Sequence, residues 1–150
     1  MSLLRKLLSL SYRQIGLLAA ASLYLVVARS KLAHQPMNRL IKELGDPFNV
    51  DAKPNAERAA EIAWALRTTA AKVPWRADCL IRAIAARQWA RRIGLPFEFH
   101  LGVSVDTTVF QAHAWSLSGT TFLSGDIPEL DRFREFDSDL LTNASLQFSE

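Results

Sequence analysis

The sequence predicts an α+β fold in which N-terminal helices pack with an antiparallel sheet. Three observations carry that prediction. Apolar residues recur at helical spacing as far as Ile93. From Pro96 the period drops to two: Phe97, Phe99, Leu101, Val103 and Val105 alternate with Glu98, His100, Gly102 and Ser104. The strand-like runs that follow are joined by short turns, the connection that antiparallel neighbours use.

The elements follow in order. Residues 3–10 and 12–32 read as helices with a break near Ser9-Leu10-Ser11. A third helix runs from about Pro36 to Leu44 and stops at Gly45, a residue suited to a left-handed cap. Asp46 to Pro54 is a loop. Asn55 is the candidate N-cap of a helix from Ala56 to about Lys72, with Glu57 and Glu61 in its early turns. Val73-Pro74-Trp75 breaks it. Asp78 then caps a helix that opens at Cys79 and closes at Gly94, with Arg91 and Arg92 in its last turn. The first strand covers 97–105 and Asp106-Thr107-Thr108 turns the chain. A second strand covers 109–117 and a third 121–123. Residues 126–139 read as acid-rich and irregular, with Phe133 and Phe136 as anchors. The tail from Thr142 to Glu150 gives no clear pattern.

Composition narrows the function classes. At 150 residues and 49% hydrophobic, with eight Phe and four Trp, the chain fits one globular domain with a core of its own. A single cysteine forms no internal disulfide, which fits a reducing, cytoplasmic setting. His34, His100 and His113 lack metal-ligand spacing, so no metal site is expected.

Charge is uneven. Residues 1–42 hold seven Lys or Arg and no acid, while the remainder holds eleven basic and fifteen acidic residues, a net of −4. Residues 1–54 therefore read as a basic, apolar, helical N-terminal region and 55–150 as a mildly acidic body. Within the first, Ile15 to Ala28 carries no charge and is flanked by Arg13 and Arg29. Fourteen residues fall short of the roughly twenty that span a bilayer. The small residues Ala19 to Ser22 sit too early in the run for a signal-peptide cleavage site. A buried helix is the favoured reading, with a helix lying on a membrane surface or in a partner's groove as the alternative. The pI of 9.4 raises nucleic-acid binding, but the arginines after Cys79 spread around a helix with no base-reading motif, so no nucleic-acid partner is expected.

The chemistry centres on Cys79, His113 and Asp126. A thiol attacks as thiolate, and two devices lower its pKa: the positive end of a helix and a nearby imidazolium. Cys79 sits at a helix start if Asp78 is the cap, and its own N–H offers half of an oxyanion hole. His113 lies on the second strand. If the turn around Ser118-Gly119-Thr120 is a two-residue loop, Asp126 falls on the same sheet face as His113 and can orient the imidazole. An odd loop or a bulge separates them. His100 is the rival base, but no carboxylate stands in register with it. Each residue also has a plain structural reading: a buried inert thiol, a packed histidine and a turn acid. Trp75 and Trp115 are candidates to line the cleft, or else packed core aromatics.

These residues resemble a known family. Asp78-Cys79-Leu80-x-Arg82, Arg91-Arg92-x-Gly94, Gly102-Val103 and Phe110-x-Ala112-His113-Ala114-Trp115 are similar to the lasso peptide biosynthesis B2 proteins of the transglutaminase-like superfamily. The similarity covers about residues 55–130. It implies a transglutaminase-like (papain-like) cysteine protease core. It also implies a leader peptidase that releases the core of a ribosomally made precursor through a thioester acyl-enzyme. Cys79 is then nucleophile, His113 base and acid, and Asp126 orienter. The family often places an acid soon after the Ala-His-Ala-Trp motif; Trp115-Ser116-Leu117-Ser118 has none. Residues 1–54 supply no winged-helix recognition unit, so the chain resembles the stand-alone protease half. The implied partners are the precursor, a separate leader-binding protein and the macrolactam cyclase, with peripheral membrane contact through residues 1–35. The chemistry calls for no cofactor. Two rival readings are acyl transfer to an amine at the same triad and a non-catalytic peptide-binding module.

Overall fold

The computed structural model describes residues 3–104 and 111–135. Helices come first: α1 (Leu3–Leu8), α2 (Tyr12–His34), α3 (Met37–Gly45), α4 (Ala56–Ala70) and α5 (Cys79–Ile93). Four strands follow: β1 (Glu98–Ser104), β2 (Ala112–Ser118), β3 (Thr121–Ser124) and β4 (Phe133–Glu135). They form one antiparallel sheet in the order β3-β2-β1-β4. The class is α+β, as the sequence predicts. β4 lies in the segment expected to be irregular. Its three residues are too few to show a period, and it exists through its pairing with Gly102, Val103 and Ser104 of β1. The expected turn at 106–108, the start of the second strand at 109–110, Phe136 and the tail from 142 lie outside the described residues.

Side-chain caps fix the helix starts. Ser11 and Gln14 form a reciprocal capping box at α2. The Arg58 N–H donates to Asn55 Oδ1 at 3.1 Å, and the Ile81 N–H donates to Asp78 Oδ1 at 3.2 Å. Gly94, with φ 76°, ends α5 in the left-handed conformation that a glycine takes without strain.

One core joins these elements. Ala21, Leu25 and Ala28 of α2 and Leu40 and Leu44 of α3 pack in the same buried cluster as Ile62 and Leu66 of α4, Ile84 and Trp89 of α5, Phe97 and Leu123. The division expected at 54/55 is therefore not a boundary in the packing. α2 lies against both α4 and α5, and Tyr24 stacks on Trp89 at 5.2 Å between ring centroids. The loop after α3 is tied to the sheet by a bridge between Phe48 and Phe97, whose rings stack at 5.5 Å. Buried Arg87 of α5 lies over both rings and faces Glu43, which also holds Lys31 of α2 at 2.8 Å.

The pairing assigns the two sheet faces. Leu101 faces Ala114 and Phe99 faces Ser116, so the small residues of β2 share the face whose Phe99 packs on the helical core. Gly102 faces His113 and His100 faces Trp115, so the large residues of β2 share the other face. Phe97 fills the centre and is fully buried. Phe97→Ala is expected to lower the unfolding free energy by about 3–5 kcal/mol. A shift of the urea midpoint at unchanged slope checks this.

Candidate active site

The site begins at the first residue of α5. The Asp78 cap turns the chain so that Cys79 stands where the helix N–H groups are free and the dipole is positive. The thiol is free and half-buried. α5 packs on β2, and its first residue meets the start of that strand at His113 and Ala114.

Two groups of β2 meet the sulfur. The His113 imidazole forms a hydrogen bond with it, and this bond holds the thiol below its ordinary pKa. Burial pushes the other way, the Ala114 N–H assists the thiolate, and the charge of Asp78 opposes it. His113 responds in kind. Its bond to Cys79 raises the imidazole above its usual value against the pull of burial; the Gly125 carbonyl adds to the rise and Arg82 opposes it. The two shifts favour a thiolate beside an imidazolium.

The orienting partner differs from the one the sequence suggests. His113 Nε2 donates to the backbone carbonyl of Gly125 at 2.7 Å. A carbonyl only accepts, so Nε2 carries hydrogen and Nδ1 is left for the sulfur. Asp126 is exposed and makes no hydrogen bond or ion pair with His113. The cause is register. The hairpin loop is Gly119-Thr120, and Ser118 pairs with Thr121 and Leu117 with Phe122. Continued without a break, this pairing sets His113 opposite Asp126. A bulge intervenes, and Ser116 pairs with Ser124 instead of Leu123. The shift of one residue moves the carboxylate off the His113 face. It is pinned by a buried hydrogen bond of 2.7 Å between the Ser116 and Ser124 hydroxyls.

Gly125 then comes in against β2 with φ 79°. A Cβ there would stand 2.7 Å from Trp115 Cα and closer still to the Ala114 oxygen. Only glycine permits this approach, and the approach delivers the carbonyl to the ring.

An aromatic row backs His113. Trp115 stacks on His113 at 6.1 Å and on His100 at 5.6 Å, and Phe133 of β4 meets His113 at 5.4 Å. Trp115 thus walls the site. Gly102 makes room for it, since a Cβ there would lie 3.1 Å from the indole. The Arg29 guanidinium of α2 lies 5.2 Å over the ring of Trp75. His100 does have a carboxylate, because its Nδ1 bonds Glu135 of β4. That partner was hidden because β4 was not legible.

Beside the site, Arg67, Arg82, Leu66, Phe122, Gly125 and Asp126 line an open pocket. Asp126 belongs to its rim. Among the described residues, no three His, Cys, Asp or Glu side chains come together as metal ligands. Sequence reasoning missed two backbone groups, the Ala114 N–H and the Gly125 carbonyl. No residue type announces a backbone contact; only the glycine after Ser124 was available as a signal.

A family model described as the transglutaminase-like superfamily matches residues 22–137. The chain belongs to the transglutaminase-like superfamily. That superfamily includes cysteine peptidases and acyltransferases. Comparisons with curated proteins and with solved structures gave no match. The matched region begins inside α2, in agreement with the shared core.

Iodoacetamide labelling of Cys79 should persist below the ordinary thiol pKa of about 8.5 and fall as pH drops through the depressed value. His113→Ala should move the profile upward, because burial and Asp78 then act unopposed by the imidazole. Asp126→Asn should change the labelling rate by less than about threefold, the scale of one exposed charge. Gly125→Ala, which cannot keep the approach to β2, should raise the labelling pKa toward that of His113→Ala.

Proposed function

We propose that the protein is a cysteine endopeptidase that removes the leader from a ribosomally synthesised precursor, as the lasso peptide B2 proteins it resembles do. The observation that carries this reading is the Cys79–His113 hydrogen bond at the start of α5. The Cys-Leu-x-Arg and Ala-His-Ala-Trp motifs that form the pair are the motifs of the resemblance.

The chemistry follows from the two groups. The Cys79 thiolate attacks the scissile carbonyl carbon, and the oxygen takes the negative charge. The Cys79 N–H at the helix start is a donor for that oxygen. As the C–N bond breaks, His113 Nδ1 gives its proton to the leaving nitrogen, leaving a thioester on Cys79. A water then attacks the thioester while Nδ1 takes its proton. Cleavage of the C–S bond returns thiolate and imidazolium. Throughout, Nε2–H stays on Gly125, so the ring cannot turn away. Gly125 is the positioning group in place of Asp126. A carbonyl dipole steadies the imidazolium less than a full carboxylate charge does.

A separate leader-binding protein presents the precursor in this reading, and the macrolactam cyclase takes the released core. The test is incubation with a candidate precursor and its leader-binding protein, followed by mass spectrometry. Two fragments whose masses add to the precursor plus one water are expected. Cys79→Ala and His113→Ala should each slow cleavage by about 10³-fold or more. A product carrying an added amine would replace hydrolysis with acyl transfer. Cleavage that survives Cys79→Ala would remove the thiol from the mechanism.

A further inference from the structure

α2 is apolar on two opposite sides, and only one is used. Ala21, Leu25 and Ala28 are fully buried against the helical core. Tyr12, Ile15, Ala19, Leu23 and Val26 recur every three to four residues on the other side, and all are exposed, Tyr12 at 95% and Leu23 at 63%. A helix that is hydrophobic all round is normally buried all round. This one is long and apolar enough to cross a membrane, yet only 17% of its apolar window is buried in the molecule. The outer stripe runs for about 21 Å at 1.5 Å per residue. α1, which precedes α2, also leaves Leu4 and Leu8 exposed.

The charges that α1 and α2 themselves carry have one sign. Residues 1–42 contain no acid. Arg13 is held by Glu61 and Lys31 by Glu43, but Arg5 and Lys6 form no ion pair among the described residues. Arg29, at the other end, is exposed and lies over the Trp75 ring. The rest of the chain is net negative.

We propose that this face of α1 and α2 rests on an anionic lipid bilayer, with α2 parallel to the surface. The stripe enters the boundary between headgroups and acyl chains, while Arg5, Lys6 and Arg29 meet lipid phosphates. The opposite sign of the remaining chain turns the other faces away from the bilayer. α2 does not span, because spanning would strip Ala21, Leu25 and Ala28 from α4 and α5 and open the core.

The test uses the full-length protein and no precursor, so its outcome is independent of the peptidase reading. Co-sedimentation is measured with equimolar phosphatidylglycerol–phosphatidylcholine vesicles and with pure phosphatidylcholine vesicles. Binding to the anionic vesicles is expected, weaker by about tenfold or more on the neutral ones and released at about 0.5 M salt. The double variant Leu23→Glu, Val26→Glu should lose binding by about tenfold or more at an unchanged melting temperature, since both side chains are exposed. Leu4→Ser, Leu8→Ser in α1 should weaken it without touching the core. No binding to anionic vesicles, or binding that the Leu23, Val26 variant leaves intact, overturns the proposal. Binding that resists alkaline carbonate extraction also overturns it, because α2 would then have left the core to span. So does loss of a protein partner by the same variant with vesicle binding unchanged.

Discussion

The packing of α5 on β2 is the contact on which the rest depends. The β2 face turned to the helices carries Ala114, Ser116 and Ser118, all nearly inaccessible to solvent. α5, which packs on this strand, carries buried Ala83, Ala86 and Ala90. Small side chains on both elements allow a close approach, and that approach carries the helix start to the His113–Ala114 end of β2. There the strand supplies His113 and the Ala114 N–H to one sulfur. A larger residue at either face would lift the thiol from its partners before it changed any group of the site itself.

The second half of the arrangement is built by the end of β3. The bulge between Ser116 and Leu117, the Ser116–Ser124 bond and the left-handed Gly125 act in sequence. Together they place a carbonyl where a carboxylate was expected. His113 is thereby fixed as an Nε2–H tautomer with Nδ1 turned to sulfur. Backing by Trp115, His100 and Phe133 leaves the ring little freedom. His100, with Glu135, serves this wall and does not meet the thiol.

Much of this was legible in the sequence, for reasons that differ by element. The change of period at Pro96, the Asp78 cap and Gly94 located α5 and β1, because caps and periodicity are local signals. Cys79 and His113 were legible as a thiol at a helix start and an imidazole on a strand. Asp126 was not assigned correctly because a bulge is set by cross-strand hydroxyls that no local pattern reveals. β4, with three residues, was too short to show a period, and the carboxylate of His100 was lost with it. Trp75 was read as either a cleft or a core aromatic; its ring carries the Arg29 guanidinium of α2, a contact that no local pattern reveals. Charge asymmetry divided the chain at position 54 although the core is shared across it, since charge marks a surface and not a packing boundary.

The central claim is that the sulfur and the imidazole perturb each other while a backbone carbonyl holds the far nitrogen. Long-range proton–nitrogen NMR of His113 across pH, in the native protein and in Cys79→Ala, tests it most directly. The account predicts an Nε2–H tautomer at high pH in both, and a His113 titration that is raised in the native protein and falls when the sulfur is removed. An Nδ1–H tautomer, or a titration unmoved by Cys79→Ala, would contradict it.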